Sequence, residues 1–398
     1  MPAPRRSPAT TMAQKETSPQ LRYRRIVVKA GTSVLTNGSE PHGLDSSVVA
    51  GLVRQICWLR EHGAEVLLVT SGAIAAGRQA LHHAASVSGR EQPERDITSR
   101  QVLAAVGQSL LMHTYQQLFD SMGFQVAQTL LTINDLSDRQ SYLNVGNTLT
   151  GLLELGVVPI LNENDVVAVD EIGEVFGDND RLSALVANLV DADLLVILTD
   201  IDGLYTADPN QDPSATLIPV VNGVDENIEA LAGKELNPWA RGGMATKLEA
   251  ARLVTASGMA MVMCRGTAED AILKAVRGEP IGTLFQPAAE KMEARKRWML
   301  GAISQKGEVR VDAGASKAVR ESNRSLLPAG IEAVDGEFRR GDIIFIVDSS
   351  GRRLACGIAN YRSGDIARIL GVQSGQISGI LGYDYGQEVV HRNNLVLL

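Results

Sequence analysis

The sequence predicts a large α/β domain, a three-layer αβα sandwich with a mostly parallel sheet, followed by a small β-barrel-like domain. Short apolar runs alternate with helical patterns over roughly residues 22–285, which implies right-handed β-α-β crossovers and helices on both faces of the sheet. Residues 194–198 are apolar throughout, as expected of a strand buried on both sides. From residue 307 onward, short alternating strands separated by turns predict the second, β-rich domain.

The chain has 398 residues, which is enough for two or more domains. Its net charge of -8 argues against a general nucleic-acid binder, whose surface is basic. The three cysteines are widely separated and the six histidines show no metal-ligand spacing. Buried thiols in a reducing compartment are therefore expected, and a disulfide or zinc framework is not.

The N-terminal 21 residues are rich in Pro, Ser, Thr and Arg and lack the apolar core of a signal peptide. We expect a disordered tail over 1–21, with a transit peptide or a start at Met12 as alternatives. No apolar run reaches the length of a membrane span, so a cytoplasmic protein is expected. The basic stretch near 291–306 is predicted to be a linker between domains at 22–290 and 307–398.

The order of elements follows from hydrophobic periodicity and from capping residues. The predicted strands of the first domain are apolar runs at 26–28, 66–69, 124–131, 157–161, 194–198 and 259–263. Helical patterns lie between them, at 45–63 with Asp45 as N-cap, 99–122, 139–155, 182–189, 241–256 and 268–276. In the second domain, strands are predicted at 309–312, 342–347, 354–359 and 388–390.

Polar clusters stand at the ends of several predicted strands. Residues 162–165 read Asn-Glu-Asn-Asp directly after one strand, and residues 177–180 read Gly-Asp-Asn-Asp before a helix that Asp178 or Asn179 could cap. The carboxyl edge of an open α/β sheet is where ligands bind. A pocket rich in Asn and Asp suits an ammonium group, hydroxyls or a bound metal, although these residues also fill ordinary turns.

Two lysines supply positive charge at the same edge. Lys29 ends the first strand, where a lysine is costly unless it is paired. Lys247 follows a glycine pair at the start of a helix, a position that suits an anion, although a solvated surface lysine is the simpler reading of that residue alone. The chain has neither a P-loop nor a Gly-x-Gly-x-x-Gly after the first strand. Lysines, glycines and carboxylates together favour phosphoryl transfer.

These motifs resemble those of the amino-acid kinase family. The resemblance rests on segments 27–33, 70–77, 162–165, 177–180, 199–209 and 242–247. In the C-terminal part, residues 325–331 with Gly341, Asp342 and Tyr361 resemble a PUA domain. The resemblance implies an amino-acid kinase fold followed by a PUA domain.

The same resemblance implies the activity. The closest pattern is that of family members that use ATP and Mg²⁺ to phosphorylate the γ-carboxylate of L-glutamate, the first step of proline synthesis, with feedback inhibition by proline. The metal is expected to be carried mainly by ATP, without a protein site of its own. A homo-oligomer, dimer or tetramer, is expected, with hand-off of the product to glutamate-5-semialdehyde dehydrogenase. Neither a membrane nor nucleic acid is expected as a partner.

The resemblance also assigns roles to individual positions. The catalytic residues would be Lys29, Lys247 and Asp180, with the carboxylate holding both lysines. The substrate-binding residues would be Ser71, Asp165 and Asn179, with Asp165 meeting the α-ammonium. The ATP site would comprise Lys29, Thr199, Asp200, Arg241, Gly242, Gly243, Met244, Ala245, Thr246 and Lys247. Arg241 departs from the family, which usually has a small residue there, and it either contacts phosphate or points to solvent.

Two other functions remain open on the sequence. A related kinase could act on aspartate or acetylglutamate, although aspartate kinases usually carry ACT domains. A PUA-like domain could instead bind or modify RNA. Residues 301–398 have nearly balanced charge and no basic stripe, which favours an oligomerisation or regulatory module.

Overall fold

The computed structural model describes most of the chain. The described residues are 21–37, 43–88, 97–137, 139–167, 179–209, 211–231, 243–287, 307–322 and 324–398. The predicted tail up to residue 20 and the predicted linker at 291–306 lie outside these ranges. No helix in the described ranges is both long and apolar enough to cross a membrane.

An eight-stranded sheet forms the centre of the first domain. Its strands are β1 (Arg25–Ala30), β2 (Glu65–Val69), β3 (Val126–Leu131), β4 (Val158–Glu163), β5 (Leu194–Thr199), β6 (Val220–Val221), β7 (Ala260–Arg265) and β8 (Thr283–Phe285). They lie in the order β3-β4-β2-β1-β5-β7-β8-β6. Every neighbouring pair is parallel except β7 and β8, so the predicted mostly parallel sheet is confirmed. The short strands β6 and β8 were not predicted.

Helices cover both faces of this sheet. In the described residues they are α1 (Thr32–Leu35), α2 (Ser46–Glu61), α3 (Ala73–Ser88), α4 (Ile97–Ser121), α5 (Ile133–Ser137), α6 (Arg139–Glu154), α7 (Asn179–Leu189), α8 (Glu226–Ala230), α9 (Met244–Ala256) and α10 (Ala271–Arg277). Alternate residues of β1 point to opposite sides: Val27 packs in one apolar cluster with α6, α7 and α9, and Val28 in another with α2, α4 and α10. Two clusters on two faces make the three-layer αβα sandwich.

The helix boundaries have local causes. The carboxylate of Asp45 accepts hydrogen bonds from the backbone N–H groups of Ser47 (2.9 Å) and Val48 (3.2 Å), which caps α2 as predicted. Gly63 takes a φ of +85° just after the end of α2, a conformation that favours glycine. Asn179, one of the two N-caps predicted for α7, is already part of the helix, and its amide donates to the carbonyl oxygen of Thr70 instead. Asp178, the other predicted N-cap, lies outside the described residues.

Helices α3 and α4 cross at two glycines with their backbones in contact. A Cβ atom added at Gly77 would lie 1.9 Å from the carbonyl oxygen of Leu103, and one added at Gly107 would lie 1.8 Å from that of Ala73. No side chain fits at such separations. The crossing therefore fixes α4 against the segment that follows β2.

The C-terminal domain contains a five-stranded sheet. Its strands are β9 (Gly307–Val311), β10 (Ile331–Gly336), β11 (Ile343–Val347), β12 (Arg353–Ile358) and β13 (Leu395–Leu397), in the order β10-β9-β11-β12-β13. Helices α11 (Ala313–Ser322), α12 (Ser363–Arg368) and α13 (Ile377–Leu381) accompany it.

Two details of this domain differ from the sequence prediction. The strand predicted at 388–390 is wrong, because Val390 forms only an isolated bridge to Leu326, and the last strand is β13. One face of the sheet packs in the domain's own core, whereas Ile343, Cys356 and Val396 belong to the apolar cluster that includes the first domain. Alternating strands are typical of a sheet with one solvated face, whereas residues on both faces of this sheet are buried.

Candidate active site

The carboxyl ends of four adjacent parallel strands bring the predicted polar residues to one edge of the sheet. In the strand register, Lys29 of β1 lies beside Val69 of β2, and Val69 lies beside Leu161 of β4. On the other side of β1, Ala30 lies beside Leu198 of β5. The segments that follow these positions therefore meet at one edge.

Asp180 lies between the two lysines. Its Oδ1 atom is 2.5 Å from Nζ of Lys29, and its Oδ2 atom is 3.0 Å from Nζ of Lys247. Its side chain has 0% exposure, and those of Lys29 and Lys247 have 5% and 9%. The hydroxyl of Thr246 donates to the same Oδ2 atom at 3.2 Å. Such buried charges are tolerated because each has a close partner.

The helices that carry these groups explain the arrangement. Asp180 is in the first turn of α7 and Lys247 in the first turn of α9, and the two helices pack together. A carboxylate is favoured at the positive end of a helix. Two ammonium groups share this one carboxylate, so the cluster keeps a net positive charge. That surplus suits an anionic group, such as a transferred phosphoryl group.

A cluster of amides and hydroxyls adjoins the lysines. The Nδ2 atom of Asn179 donates to the carbonyl oxygen of Thr70 (2.8 Å), to Oγ of Ser71 (2.9 Å) and to Oδ1 of Asn162 (3.0 Å). Asn179 and Asp180 are consecutive residues, so the amide cluster and the lysine pair meet at the start of α7. The structure thus brings two predicted substrate-binding residues, Ser71 and Asn179, next to the three predicted catalytic ones.

Asp165 lies in the turn that follows β4 and is partly buried. Burial raises the pKa of its carboxyl group above the usual range, and the positive charge of Arg100 partly offsets this effect. A carboxylate in such surroundings gains most from a cationic partner. A ligand ammonium group would supply one.

The residues predicted for ATP are divided between two segments. Thr199 ends β5, and its hydroxyl donates to Asp200 at 3.0 Å. Gly243 is the N-cap of α9, and Met244, Ala245, Thr246 and Lys247 form its first turn. Arg241 and Gly242 lie outside the described residues.

An ion pair that the sequence analysis missed lies beside Thr199. Arg265, the neighbour of Thr199 in the strand register, binds Asp202 with Nε at 2.6 Å from Oδ1, and Tyr205 donates to the same carboxylate at 3.0 Å. The pair ties the end of β7 to the loop after β5. The sequence did contain a signal for this ion pair, because an arginine ends one apolar strand and an aspartate follows the neighbouring strand.

A protein-built magnesium site does not fit the described residues. Nowhere in the described ranges do three His, Cys, Asp or Glu side chains gather as metal ligands. Both oxygens of Asp180 already lie against lysine ammonium groups. Mg²⁺ commonly reaches such sites with nucleotide phosphates and few protein ligands.

Comparison with known proteins identifies the family. Residues 24–265 match the model of the amino acid kinase family. The chain belongs to the amino acid kinase family. Residues 307–381 match the PUA domain, so a PUA domain follows the amino acid kinase domain, as the sequence motifs predicted.

Curated relatives within the amino acid kinase family cover nearly the whole chain. The glutamate 5-kinase of Dehalococcoides mccartyi (strain CBDB1) is 51% identical, with 94% of this chain and 99% of that protein aligned. The glutamate 5-kinase of Herpetosiphon aurantiacus is 50% identical over 94% and 98% of the two chains. The glutamate 5-kinase of Synechococcus elongatus is 48% identical over 94% and 99%.

Several residues that build this amino acid kinase site were not singled out from the sequence. Asn162 was noticed as part of its motif but not as a site residue. Gln108 and Tyr115 of α4 contact the site from behind: Gln108 accepts from Asn162 at 2.8 Å, and the phenol oxygen of Tyr115 lies 2.8 Å from the hydroxyl of Thr70. These two residues are seven apart and so share one helix face, but their helical pattern alone did not reveal their partners.

Proposed function

We propose that this protein phosphorylates the γ-carboxylate of L-glutamate with ATP, yielding glutamyl 5-phosphate and ADP. The observation that carries the proposal is the buried carboxylate of Asp180 between Lys29 and Lys247, directly beside the amide of Asn179. The chain is also 51% identical, over nearly its full length, to a protein named glutamate 5-kinase. This similarity supports glutamate as the phosphoryl acceptor.

In the proposed reaction an oxygen of the γ-carboxylate attacks the γ-phosphorus of ATP. The bond between that phosphorus and the bridging oxygen breaks, and the bonding electrons leave with ADP. Charge in this transition state lies mainly on the phosphoryl oxygens and the leaving oxygen. Lys29 and Lys247 would stabilise that charge, and Asp180 would hold the two ammonium groups in place.

The acceptor end of the site suits an α-amino acid. Asp165, Ser71 and Asn179 would bind glutamate, with the Asp165 carboxylate pairing with its α-ammonium. Thr199 and Asp200, with the segment from Arg241 to Lys247, would bind ATP together with Lys29. The Mg²⁺ needed to neutralise the phosphates would arrive with ATP, because the described residues offer no cage for it.

Regulation and partners follow from the same assignment. Proline shares the α-ammonium and α-carboxylate of glutamate, so it would compete for the region around Asp165 as a feedback inhibitor. Assembly as a homo-oligomer and transfer of the labile acyl phosphate to glutamate-5-semialdehyde dehydrogenase complete the proposal.

The deciding experiment compares acceptors. ADP release is measured with ATP, Mg²⁺ and either glutamate, aspartate or acetylglutamate, and the acyl phosphate is trapped with hydroxylamine as a hydroxamate. We expect release that needs Mg²⁺ and is fastest with glutamate. Equal or faster turnover with aspartate would overturn the substrate assignment.

A further inference from the structure

A chain of three side-chain amides runs from helix α4 into the candidate active site. Gln108 accepts a hydrogen bond at Oε1 from Nδ2 of Asn162, at 2.8 Å. Asn162 in turn accepts at Oδ1 from Nδ2 of Asn179, at 3.0 Å. Gln108 thereby reaches Asn179 through one intermediate residue.

Two backbone groups determine which way each amide points. The carbonyl of Thr70 can only accept, so Asn179 must turn its Nδ2 atom toward it, at 2.8 Å. The backbone N–H of Glu163 can only donate, so Asn162 must present Oδ1 to it, at 2.9 Å. The Nδ2 atom of Asn162 then faces Gln108, whose oxygen must accept. The orientation of all three amides follows from these two fixed ends.

This fixed orientation leaves two buried atoms without a hydrogen-bond partner among the described residues: Oδ1 of Asn179, an acceptor, and Nε2 of Gln108, a donor. Buried polar atoms are nearly always paired in proteins, so an unpaired acceptor in a site is matched to a donor on a ligand. Turning the Asn179 amide over would place its oxygen against the carbonyl oxygen of Thr70. Asn179 is therefore held as an acceptor toward its ligand.

We propose that Gln108 is a positioning residue for the acceptor substrate. It holds Asn162, and through it Asn179, in the orientation that offers Oδ1 of Asn179 to the α-ammonium of glutamate. The inference rests on the proposed function, because it takes an amino acid as the ligand of this site. Without an acceptor at position 108, Nδ2 of Asn162 loses its partner and the amide of Asn179 loses part of its support.

A purely structural role for Gln108 predicts a different outcome. If the residue only ties α4 to β4, its loss lowers stability and affects both substrates alike. A positioning role affects the KM for glutamate selectively, because the amide chain ends at Thr70 and Ser71 in the acceptor part of the site.

The test uses the full-length protein and five variants. Gln108→Met keeps the length of the side chain and removes its acceptor. Gln117→Met makes the same change at an exposed position of α4 and is the matched control. The third is Gln108→Met combined with Asn162→Ala, compared with Asn162→Ala alone. Initial rates of ADP release give kcat and both KM values, and thermal unfolding gives Tm.

We expect Gln108→Met to raise the KM for glutamate roughly 10-fold, the scale of one lost hydrogen bond to a charged ligand, with the KM for ATP unchanged. Gln117→Met should match the unaltered protein. In the Asn162→Ala background Gln108→Met should add nothing further, because its effect passes through Asn162.

An unchanged KM for glutamate, or equal changes in both KM values, would overturn the assignment. So would full multiplication of the two single effects in the double variant. Gln108→Ala is measured alongside. If neither Gln108→Met nor Gln108→Ala folds, the role of Gln108 is purely structural and the proposal is overturned. If the unaltered protein consumes no ATP with glutamate, the proposed function fails instead, which separates the two results.

Discussion

Lys29 and Asp180 form an ion pair in the interior of the protein, with Nζ 2.5 Å from Oδ1 and side chains that are 5% and 0% exposed. The second oxygen of the same carboxylate serves Lys247, at 3.0 Å. One carboxylate thus stabilises two buried ammonium groups. Its removal would leave two like charges facing each other in a poorly solvated space, so we expect both turnover and stability to depend on it.

We expect Asp180→Asn to lower kcat by about 100-fold or more, because the ammonium groups lose the charge that positions them. The free energy of unfolding should fall by about 3–5 kcal/mol, the usual effect of breaking a buried ion pair. Steady-state rates and denaturant unfolding measure the two effects. Asp225→Asn, at the exposed N-cap of α8, is the control and should change neither. Near-normal turnover of Asp180→Asn would remove Asp180 from the mechanism.

Lys247→Ala should also lower kcat by about 100-fold or more, with a smaller effect on substrate binding. The double change Lys247→Ala with Asp180→Asn should be clearly less severe than the product of the single effects, since the two residues act as one unit. Turnover at saturating ATP and glutamate gives the comparison. Independent effects that multiply would mean that the ion pair does not work as a unit.

As the pH is lowered, glutamate binding should begin to weaken at a higher pH than it would with an aspartate of ordinary pKa. Burial raises the pKa of Asp165, so its carboxylate, the form that attracts an ammonium group, is lost at a higher pH than usual. The KM for glutamate should rise as the pH falls through that raised pKa. Arg100 lowers this pKa, so Arg100→Gln should move the rise to still higher pH.

The pH experiment has its own control. Asp165→Asn should bind glutamate weakly at every pH and should lose the acid-dependent rise, because no carboxyl group remains to titrate. A rise that persists unchanged in Asp165→Asn would assign the titration to another group.

Proline should inhibit by raising the apparent KM for glutamate while leaving kcat unaffected. The reason is that both molecules carry the α-ammonium and α-carboxylate for which the Asp165 region is suited. Asp165→Asn should weaken proline inhibition together with glutamate binding. Inhibition that leaves the apparent affinity for glutamate unchanged would contradict an overlapping site.

The sheet was largely predictable because strands that are buried on both faces consist of uninterrupted apolar residues. Residues 194–198 were predicted as a strand and form most of β5. The short strand β8, Thr283–Phe285, was missed because three residues carry too little pattern to be recognised alone. The strand predicted at 388–390 failed for the opposite reason: Val389 and Val390 are fully buried, but they pack in the domain core without joining the sheet.

The candidate site was predictable only where its residues end strands or begin helices. Lys29 and Asp180 could be recognised in this way, because a charged side chain at the end of a buried strand or beside a glycine turn is costly without a partner. Gln108 and Tyr115 do not. Each is an ordinary residue of a long helix, and their contacts with Asn162 and Thr70 depend on how α4 crosses the sheet. Such long-range pairings are properties of packing.

The contact between Gly77 and Gly107 has a practical consequence for laboratory evolution of this protein. Gly107 directly precedes Gln108 in α4. Gly77 lies one helical turn after Ala73, the first residue of α3, which begins two residues after Ser71. A methyl group at Gly107 would meet the carbonyl oxygen of Ala73 at 1.8 Å, so the two helices would have to move apart. A selection for altered amino-acid preference should therefore leave Gly77 and Gly107 unchanged, although neither is among the predicted site residues.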